Sequence, residues 1–176
     1  MFLWIGCKLP AEYEAEIRKI CLQKNESLGL DTVAFSLPQH ISLKISFPSD
    51  RAEEIIAYLE HFFEGFSPFE VKINTIEQMG KILWLTVAEN PILQKLHNDL
   101  DQVLQQQFQI PQHPFDHHFQ FHSTLFLDED EEKIRQMAND LSGHLFARRL
   151  QVDTLLLGIS PTGTAGDYTV VKEIKL

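Results

Sequence analysis

The sequence predicts a mixed fold of helices and strands in which two similar lobes enclose a shared cleft. Short motifs recur in the same order at a spacing of about 80 residues, which indicates an internal duplication. The matching segments are Leu3-Trp4-Ile5 and Leu83-Trp84-Leu85, His40-Ile41-Ser42-Leu43 and His122-Ser123-Thr124-Leu125, and Asn74-Thr75-Ile76 and Asp153-Thr154-Leu155. We therefore predict a single bilobal domain over residues 1–176, with repeat lobes at approximately 1–80 and 81–176.

Each copy is predicted to run strand, helix, strand, helix, strand. The helices are expected where apolar residues recur at helical spacing, in 11–25, 50–64, a third segment opening at Asn90-Pro91, and 129–142. Asn90 is a favourable cap, Pro91 suits a first helical turn, and Gly143 marks the end of the last helix.

Strands are expected where β-branched and aromatic residues alternate with polar ones. The predicted strands are 2–8, 40–47, 69–78, 82–88, 119–127, 147–157 and 168–175. Met79-Gly80 is interpreted as a hairpin turn, and Trp4 and Trp84 as equivalent core residues. The last strand, from Tyr168 to Lys175, has no place in the repeated unit.

Charge limits the classes of partner. Twenty-five acidic and 15 basic residues give a net charge of −10, which disfavours a long nucleic-acid duplex, because such binding neutralises many phosphates. A small anionic ligand is compatible with a locally positive pocket. Cys7 and Cys21 lack metal-site spacing, and no basic signal sequence or membrane-spanning run is present. We expect a cytoplasmic monomer.

Two histidines lie at matching places in the repeat. Because alternate residues of a strand face the same side, His40, Ser42 and Lys44 are predicted to share one face. The same reasoning places His118, His122 and Thr124 together. If the halves are related by a pseudo-two-fold axis, the two pairs of histidine and hydroxyl face each other across a groove.

This arrangement suits phosphodiester chemistry. One imidazole can remove a proton while the other donates one, since both titrate near neutral pH. The hydroxyls of Ser42 and Thr124 can bind the phosphate oxygens, and Lys44 can add positive charge. No metal or other cofactor is needed for this scheme.

The paired motifs, His40-Ile41-Ser42-Leu43 and His122-Ser123-Thr124-Leu125, resemble those of the two-histidine (2H) phosphoesterase superfamily. That superfamily includes 2′-5′ RNA ligase-like proteins and cyclic nucleotide phosphodiesterases. The resemblance implies an α+β fold, with two antiparallel sheets around a central cleft and helices outside. It also implies metal-independent action on 2′,3′-cyclic phosphates or 2′-5′ linkages of small nucleotides or RNA ends. His40 and His122 would then be acid and base, with Ser42 and Thr124 binding phosphate.

The sequence departs from that pattern in two ways. Many RNA ligase-like members carry an arginine shortly after the second motif, whereas Phe126-Leu127-Asp128-Glu129 follows Leu125 here. The first motif has serine in place of the commoner threonine, which keeps the hydroxyl. A nucleotide-binding module of the same fold without turnover is therefore the alternative function.

Other residues have weaker interpretations. Phe115 and His118 lie in a proline-containing segment that could form a loop at the cleft mouth, and Tyr168 could stack on a base. A metal-dependent hydrolase is a further alternative, and its candidate ligands are His113, Asp116, His117, His118 and His122. His61, His97 and His144 are interpreted as structural.

Overall fold

The computed structural model describes residues 1–176 and contains four α-helices and eight β-strands. The helices are α1 Ala11–Asn25, α2 Ala52–Phe62, α3 Pro91–Phe108 and α4 Glu131–Leu141. The strands are β1 Phe2–Lys8, β2 His40–Pro48, β3 Phe69–Met79, β4 Ile82–Val87, β5 His122–Leu127, β6 Arg148–Val152, β7 Thr154–Ser160 and β8 Thr169–Lys175. Short 3₁₀ helices occupy Val33–Phe35 and Pro114–His118. No helix has the length and apolar character that crossing a membrane requires.

The strands form two antiparallel sheets of four strands each, which confirms the predicted α+β class. The first sheet has the order β2-β1-β7-β8 and the second β5-β4-β3-β6. The strands β2 and β5, which carry the two histidine motifs, are therefore edge strands of their sheets. A buried hydrogen bond 2.9 Å long joins the Ser123 hydroxyl of β5 to Oε1 of Gln39, the residue before β2.

The two sheets do not coincide with the two halves of the sequence. Strand β3 pairs with β4 and β6, and β7 pairs with β1, so each sheet takes strands from both halves. The single strand predicted over 147–157 is wrong: it breaks at Asp153, and its two parts lie in different sheets. The last strand, β8, pairs with β7 at the outer edge of the first sheet. It completes a sheet and has no repeat partner.

The helices pack their apolar faces on one side of the sheets and build the core. Ile17 of α1, Leu59 of α2, Leu100 of α3 and Ile134 of α4 are buried in one continuous apolar cluster. Three buried apolar residues, Trp4, Trp84 and Leu156, lie outside that cluster. The alternation of side chains along β1 and β4 places both tryptophans on the face opposite the helices, where the histidines lie.

Candidate active site

His40 begins β2 and is held by two contacts. Its ring packs edge-on against Trp4, with ring centroids 4.1 Å apart. Its Nδ1 lies 2.7 Å from the carbonyl oxygen of Pro38. Because a carbonyl can only accept, Nδ1 carries the proton of the neutral ring. The Nε2 lone pair is thereby left for a substrate or a proton.

His122 begins β5 and repeats this arrangement. Its ring lies 4.1 Å from that of Trp84, measured between centroids. Its Nδ1 lies 2.7 Å from the carbonyl oxygen of Gln120, two residues earlier in the chain, as Pro38 is for His40. The duplication therefore reproduces the tautomer and the aromatic support as well as the residue type.

Burial keeps both imidazoles neutral at physiological pH. It lowers the pKa of His40 from 6.5 to about 4, with smaller effects from the Pro38 carbonyl, which raises it, and His122, which lowers it. Burial also lowers the pKa of His122. The two motifs are held close together, because the hydroxyl of Ser123, next to His122, donates to Oε1 of Gln39, next to His40. Both rings can therefore act as bases, and a bound anion would favour protonation of one of them.

The two hydroxyls of the motifs differ in their contacts. The Ser42 hydroxyl accepts a hydrogen bond from Trp4 Nε1 at 3.1 Å. Thr124 lies opposite Trp84 in the β4–β5 register, yet Trp84 Nε1 is buried without a partner. The Thr124 hydroxyl is consequently uncommitted, whereas that of Ser42 is oriented by the indole.

Glycines make room for the indole under His40. A Cβ added at Gly6 would lie 2.7 Å from Trp4 Cζ2 and 3.3 Å from His40 Cδ2. One added at Gly158, opposite Trp4 on β7, would lie 2.7 Å from Trp4 Cε3. Such separations are too short for carbon atoms, so both positions require glycine. The prediction that the tryptophans belong to the core missed their role, which is to support the histidines.

Lys44 lies outside this group of residues, contrary to the prediction. Successive register shifts between β1 and β2 mark a β-bulge after Ser42, so that Leu43 and Lys44 are both buried. The Lys44 ammonium donates to Asp101 Oδ1 at 2.5 Å and to Asp116 Oδ2 at 2.7 Å. The equivalent residue of the second motif, Phe126, is also fully buried. Lys44 therefore anchors β2 from the core side and cannot contact a phosphate in the cleft.

His97, which the sequence marks only as structural, completes a buried cluster around Lys44. Its Nδ1 lies 2.7 Å from the Leu43 carbonyl oxygen and its Nε2 3.0 Å from that of Asp116. Both ring nitrogens of His97 are therefore committed to backbone carbonyls. The Lys44 ammonium lies between the carboxylates of Asp101 and Asp116. The cluster ties β2 and α3 to the segment that precedes β5.

A different cation lies beside His40. Lys8 is the register partner of His40 on β1, and directly paired residues of an antiparallel sheet share a face. Its Nζ donates to Glu173 Oε1 at 2.8 Å, and its side chain is about one-quarter exposed (27%). Lys8 was not among the residues predicted from the sequence. Its position was a signal, because it ends β1, the strand that contains the repeated motif Leu3-Trp4-Ile5.

The residues predicted at the cleft mouth, Phe115, His118 and Tyr168, lie outside the two strands that carry the histidines. Strand β5 begins at His122 and not at 119, because Pro114 and the capping contacts of His113 start a 3₁₀ helix. His118 ends that helix, exposed, and so does not share a strand face with His122. Phe115 is 70% exposed. Tyr168 is half-buried, and its hydroxyl donates to the carbonyl oxygen of Gly163 at 3.4 Å.

The groups proposed as alternative metal ligands do not converge on His122. The Asp116 carboxylate faces Lys44 and accepts from the backbone N–H of His113 at 2.6 Å. The acidic and imidazole groups that lie within metal-binding distance of one another are His97, Asp101 and Asp116. The Lys44 ammonium already donates to both carboxylates, so it supplies the positive charge that a cation would bring there.

A cavity of about 700 Å³ opens beside His122 on the face of the second sheet. Aromatic and polar side chains line it. They are Asn74, Glu77, Trp84, Thr86, Val87, Ala88, Glu89, Asn90, Pro91, Gln94, Phe119, Gln120, Phe121 and His122. Phe119 and Phe121, predicted on the core side of a strand over 119–127, precede β5 and border this cavity, and Phe121 also packs against the core. The site therefore combines two supported imidazoles with a pocket large enough for a small organic group.

The family model of the 2′-5′ RNA ligase superfamily matches residues 10–162 of the chain. The chain belongs to this superfamily. The match confirms the resemblance to the 2H phosphoesterases, whose members are phosphoesterases and RNA ligase-like enzymes. A search of the curated proteins finds no significant match.

Solved structures show the same fold at low sequence identity. TT0787 of Thermus thermophilus superposes with a TM-score of 0.72 at 18% identity, covering 100% of this chain and 98% of that one. The apo form of Escherichia coli LigT gives 0.67 at 20% identity, covering 99% and 96%. Usb1 of Kluyveromyces marxianus gives 0.52 at 13% identity, covering 99% and 97%. The whole chain therefore has the fold of these proteins.

Proposed function

We propose that the protein is a metal-independent phosphodiesterase that acts on 2′,3′-cyclic phosphates or 2′-5′ linkages of small nucleotides or RNA ends. The observation that carries the proposal is the matched pair of imidazoles on β2 and β5. Each has Nδ1 bound to the carbonyl two residues earlier and Nε2 left available. Escherichia coli LigT, which has the same fold, has been solved with phosphate, 3′-AMP, ATP and NADP⁺.

The reaction needs one base and one acid. In hydrolysis of a 2′,3′-cyclic phosphate, one Nε2 takes a proton from water as the water oxygen attacks phosphorus. The bond from phosphorus to one ribose oxygen breaks, and the other histidine gives that oxygen its proton. Burial lowers the pKa of both rings, so either histidine can be the base, and the other, protonated beside the bound phosphate, is the acid.

The hydroxyls of Ser42 and Thr124 would bind the non-bridging oxygens, where negative charge increases in the transition state. Lys8, the register partner of His40, lies on the same face of the first sheet, where its ammonium pairs with Glu173. We propose small nucleotides as substrates and a monomer as the active form, because every group in this scheme comes from one chain.

A ³¹P NMR time course with a 2′,3′-cyclic nucleotide in excess EDTA tests the proposal. The wild-type protein is expected to produce a monophosphate ester. His40→Ala and His122→Ala should each lower kcat by at least about 10²-fold, in the range typical of general acid–base catalysis. His61→Ala, at an exposed position on α2, is the matched control and should retain full activity. Unchanged turnover in both site variants would refute the mechanism, and saturable binding without product would favour a binding module.

A further inference from the structure

The cavity beside His122 differs in charge from a typical site for polyanions. Its lining includes the carboxylates of Glu77 and Glu89 and contains no lysine or arginine. Glu77 lies opposite Trp84 in the β3–β4 register, and both glutamates are exposed. Neither takes part in an ion pair, so their negative charges are not compensated locally.

The helix end at this cavity does not compensate for that negative charge either. Helix α3 begins at Pro91, where the helix dipole would attract an anion. The Asn90 side chain already accepts from the backbone N–H groups of Ile92 and Leu93, at 2.9 and 3.1 Å. Its own amide donates to the Glu70 carbonyl at 2.8 Å. The first N–H groups of the helix are therefore occupied by the protein itself.

The apolar walls of the cavity suit a planar ring. Trp84, Phe119 and Phe121 border it from two elements. Phe119 stacks on His97 with ring centroids 4.6 Å apart and an interplanar angle of 27°. Since His97 is fixed by two carbonyls, the position of Phe119 is fixed as well. A rigid aromatic surface beside amide groups can bind a heterocycle by stacking and hydrogen bonding.

The cations nearest to this cavity are committed or lie beyond its rim. Arg149 pairs with Glu70, and the register partner of Arg149 is Lys72, two residues before Asn74 on β3. Lys44 is buried in its cluster. A phosphate between the histidines would thus lie on the side of Lys8 and its partner Glu173, whereas the group on the side of His122 meets only carboxylates and neutral side chains.

We propose that this cavity binds the nucleoside part of the substrate as an uncharged group, and that Glu77 and Glu89 exclude a second phosphate. The preferred substrate is then a mononucleoside cyclic phosphate. A substrate with a further phosphate on the 5′ side of that nucleoside, as in an RNA end, is disfavoured. This inference rests on the proposed function, because it assumes that the scissile phosphate lies between His40 and His122.

The test compares two substrates that differ only in the second phosphate. These are adenosine 2′,3′-cyclic phosphate and its 5′-phosphorylated form, both followed by ³¹P NMR at low ionic strength. We expect kcat/KM to be at least tenfold higher for the first, and the ratio to shrink as salt screens the carboxylates. The double variant Glu77→Gln and Glu89→Gln should bring the ratio towards one by raising activity on the phosphorylated substrate.

A matched control removes the same number of charges elsewhere. Glu26→Gln with Asp140→Asn, both exposed and outside the cavity lining, should leave the ratio as in the wild type. The inference is overturned if the wild-type protein is equally active on the two substrates or prefers the phosphorylated one. It is also overturned if Glu77→Gln with Glu89→Gln changes the activity on both substrates equally. A preference for the phosphorylated substrate would point to capture by Lys72, which lies beyond the lining of the cavity.

Loss of the proposed function is distinguishable from loss of this inference. If neither substrate is converted, the proposed function fails, and binding alone is measured with adenosine 2′-phosphate and adenosine 2′,5′-bisphosphate. The only two tryptophans, Trp4 and Trp84, support the two histidines, so their fluorescence reports binding at the site. If the monophosphate binds more tightly, and the double glutamine variant abolishes this difference in affinity, selection by charge is still supported. Equal affinities refute it.

Discussion

Replacing Lys44 by methionine keeps the length of the side chain and removes the ammonium from the buried cluster. In the wild type that ammonium donates to Asp101 and Asp116, both almost fully buried. The variant leaves two buried carboxylates near one another without the ammonium that pairs with both. Breaking a buried ion pair by removing one partner costs about 3–5 kcal/mol of stability, because an uncompensated charge stays in a medium of low dielectric.

Because one ammonium serves two carboxylates, we expect a loss of stability in that range. For a protein of this size it corresponds to a decrease in Tm of about 6–20 °C. The free energy of unfolding is measured by urea denaturation at pH 7, monitored by circular dichroism. Lys95→Met is the control, since Lys95 and Asp99 form an exposed pair on α3, and should cost less than about 1 kcal/mol.

A combined variant tests the cause. Lys44→Met together with Asp101→Asn and Asp116→Asn removes the ammonium and both negative charges. It should be more stable than Lys44→Met alone, since it leaves no pair of unbalanced carboxylates. If Lys44→Met costs no more than Lys95→Met, or if neutralising the carboxylates does not recover stability, the buried cluster does not have the energetic role described.

Three further outcomes follow from the geometry. Gly158→Ala should lower kcat, because the added methyl group would lie 2.7 Å from Trp4 Cε3 and must displace the indole from under His40; unchanged kinetics would contradict this. The free energy of unfolding should fall as pH decreases from 6.5 towards 4, because the pKa of His40 is low in the folded state and the unfolded chain takes up the proton. Urea titrations at several pH values measure this, and a His40→Gln variant should show a flatter pH profile. Cys7 and Cys21 are buried, which raises the pKa of both thiols, so they should react with a thiol reagent only after urea unfolds the chain; rapid labelling of the native protein would disprove this.

The sequence predicted the features that depend on local pattern. The four helices follow the spacing of apolar residues, and the observed bounds differ from the predicted ones by a few residues at most, as for α2 at Ala52–Phe62. The histidines, with Ser42 and Thr124, could be selected because each motif recurs in the second half. A repeated motif on a strand constrains face and position together, which a single motif does not.

Features that depend on long-range pairing were not predictable in the same way. Strict alternation placed Lys44 beside His40, but the bulge after Ser42 turns it to the core. The repeat did contain a signal, because the equivalent position is Phe126, an apolar residue with no reason to face a polar cleft. The break at Asp153 had no such signal, since Leu150, Val152 and Leu155 are all buried although they belong to different sheets.

The exchange of strands between the halves has a consequence for synthesis on the ribosome. The sheet that carries His40 needs β7, whose Gly158 lies against Trp4, and translation reaches that residue only after most of the chain has been made. Until then β1 has an unpaired edge, which is the kind of surface that promotes association between nascent chains. The sheet that carries His122 likewise depends on β3, made in the first half. Neither gene half would therefore be expected to encode an independently folding product, and expression of either alone should give aggregated protein.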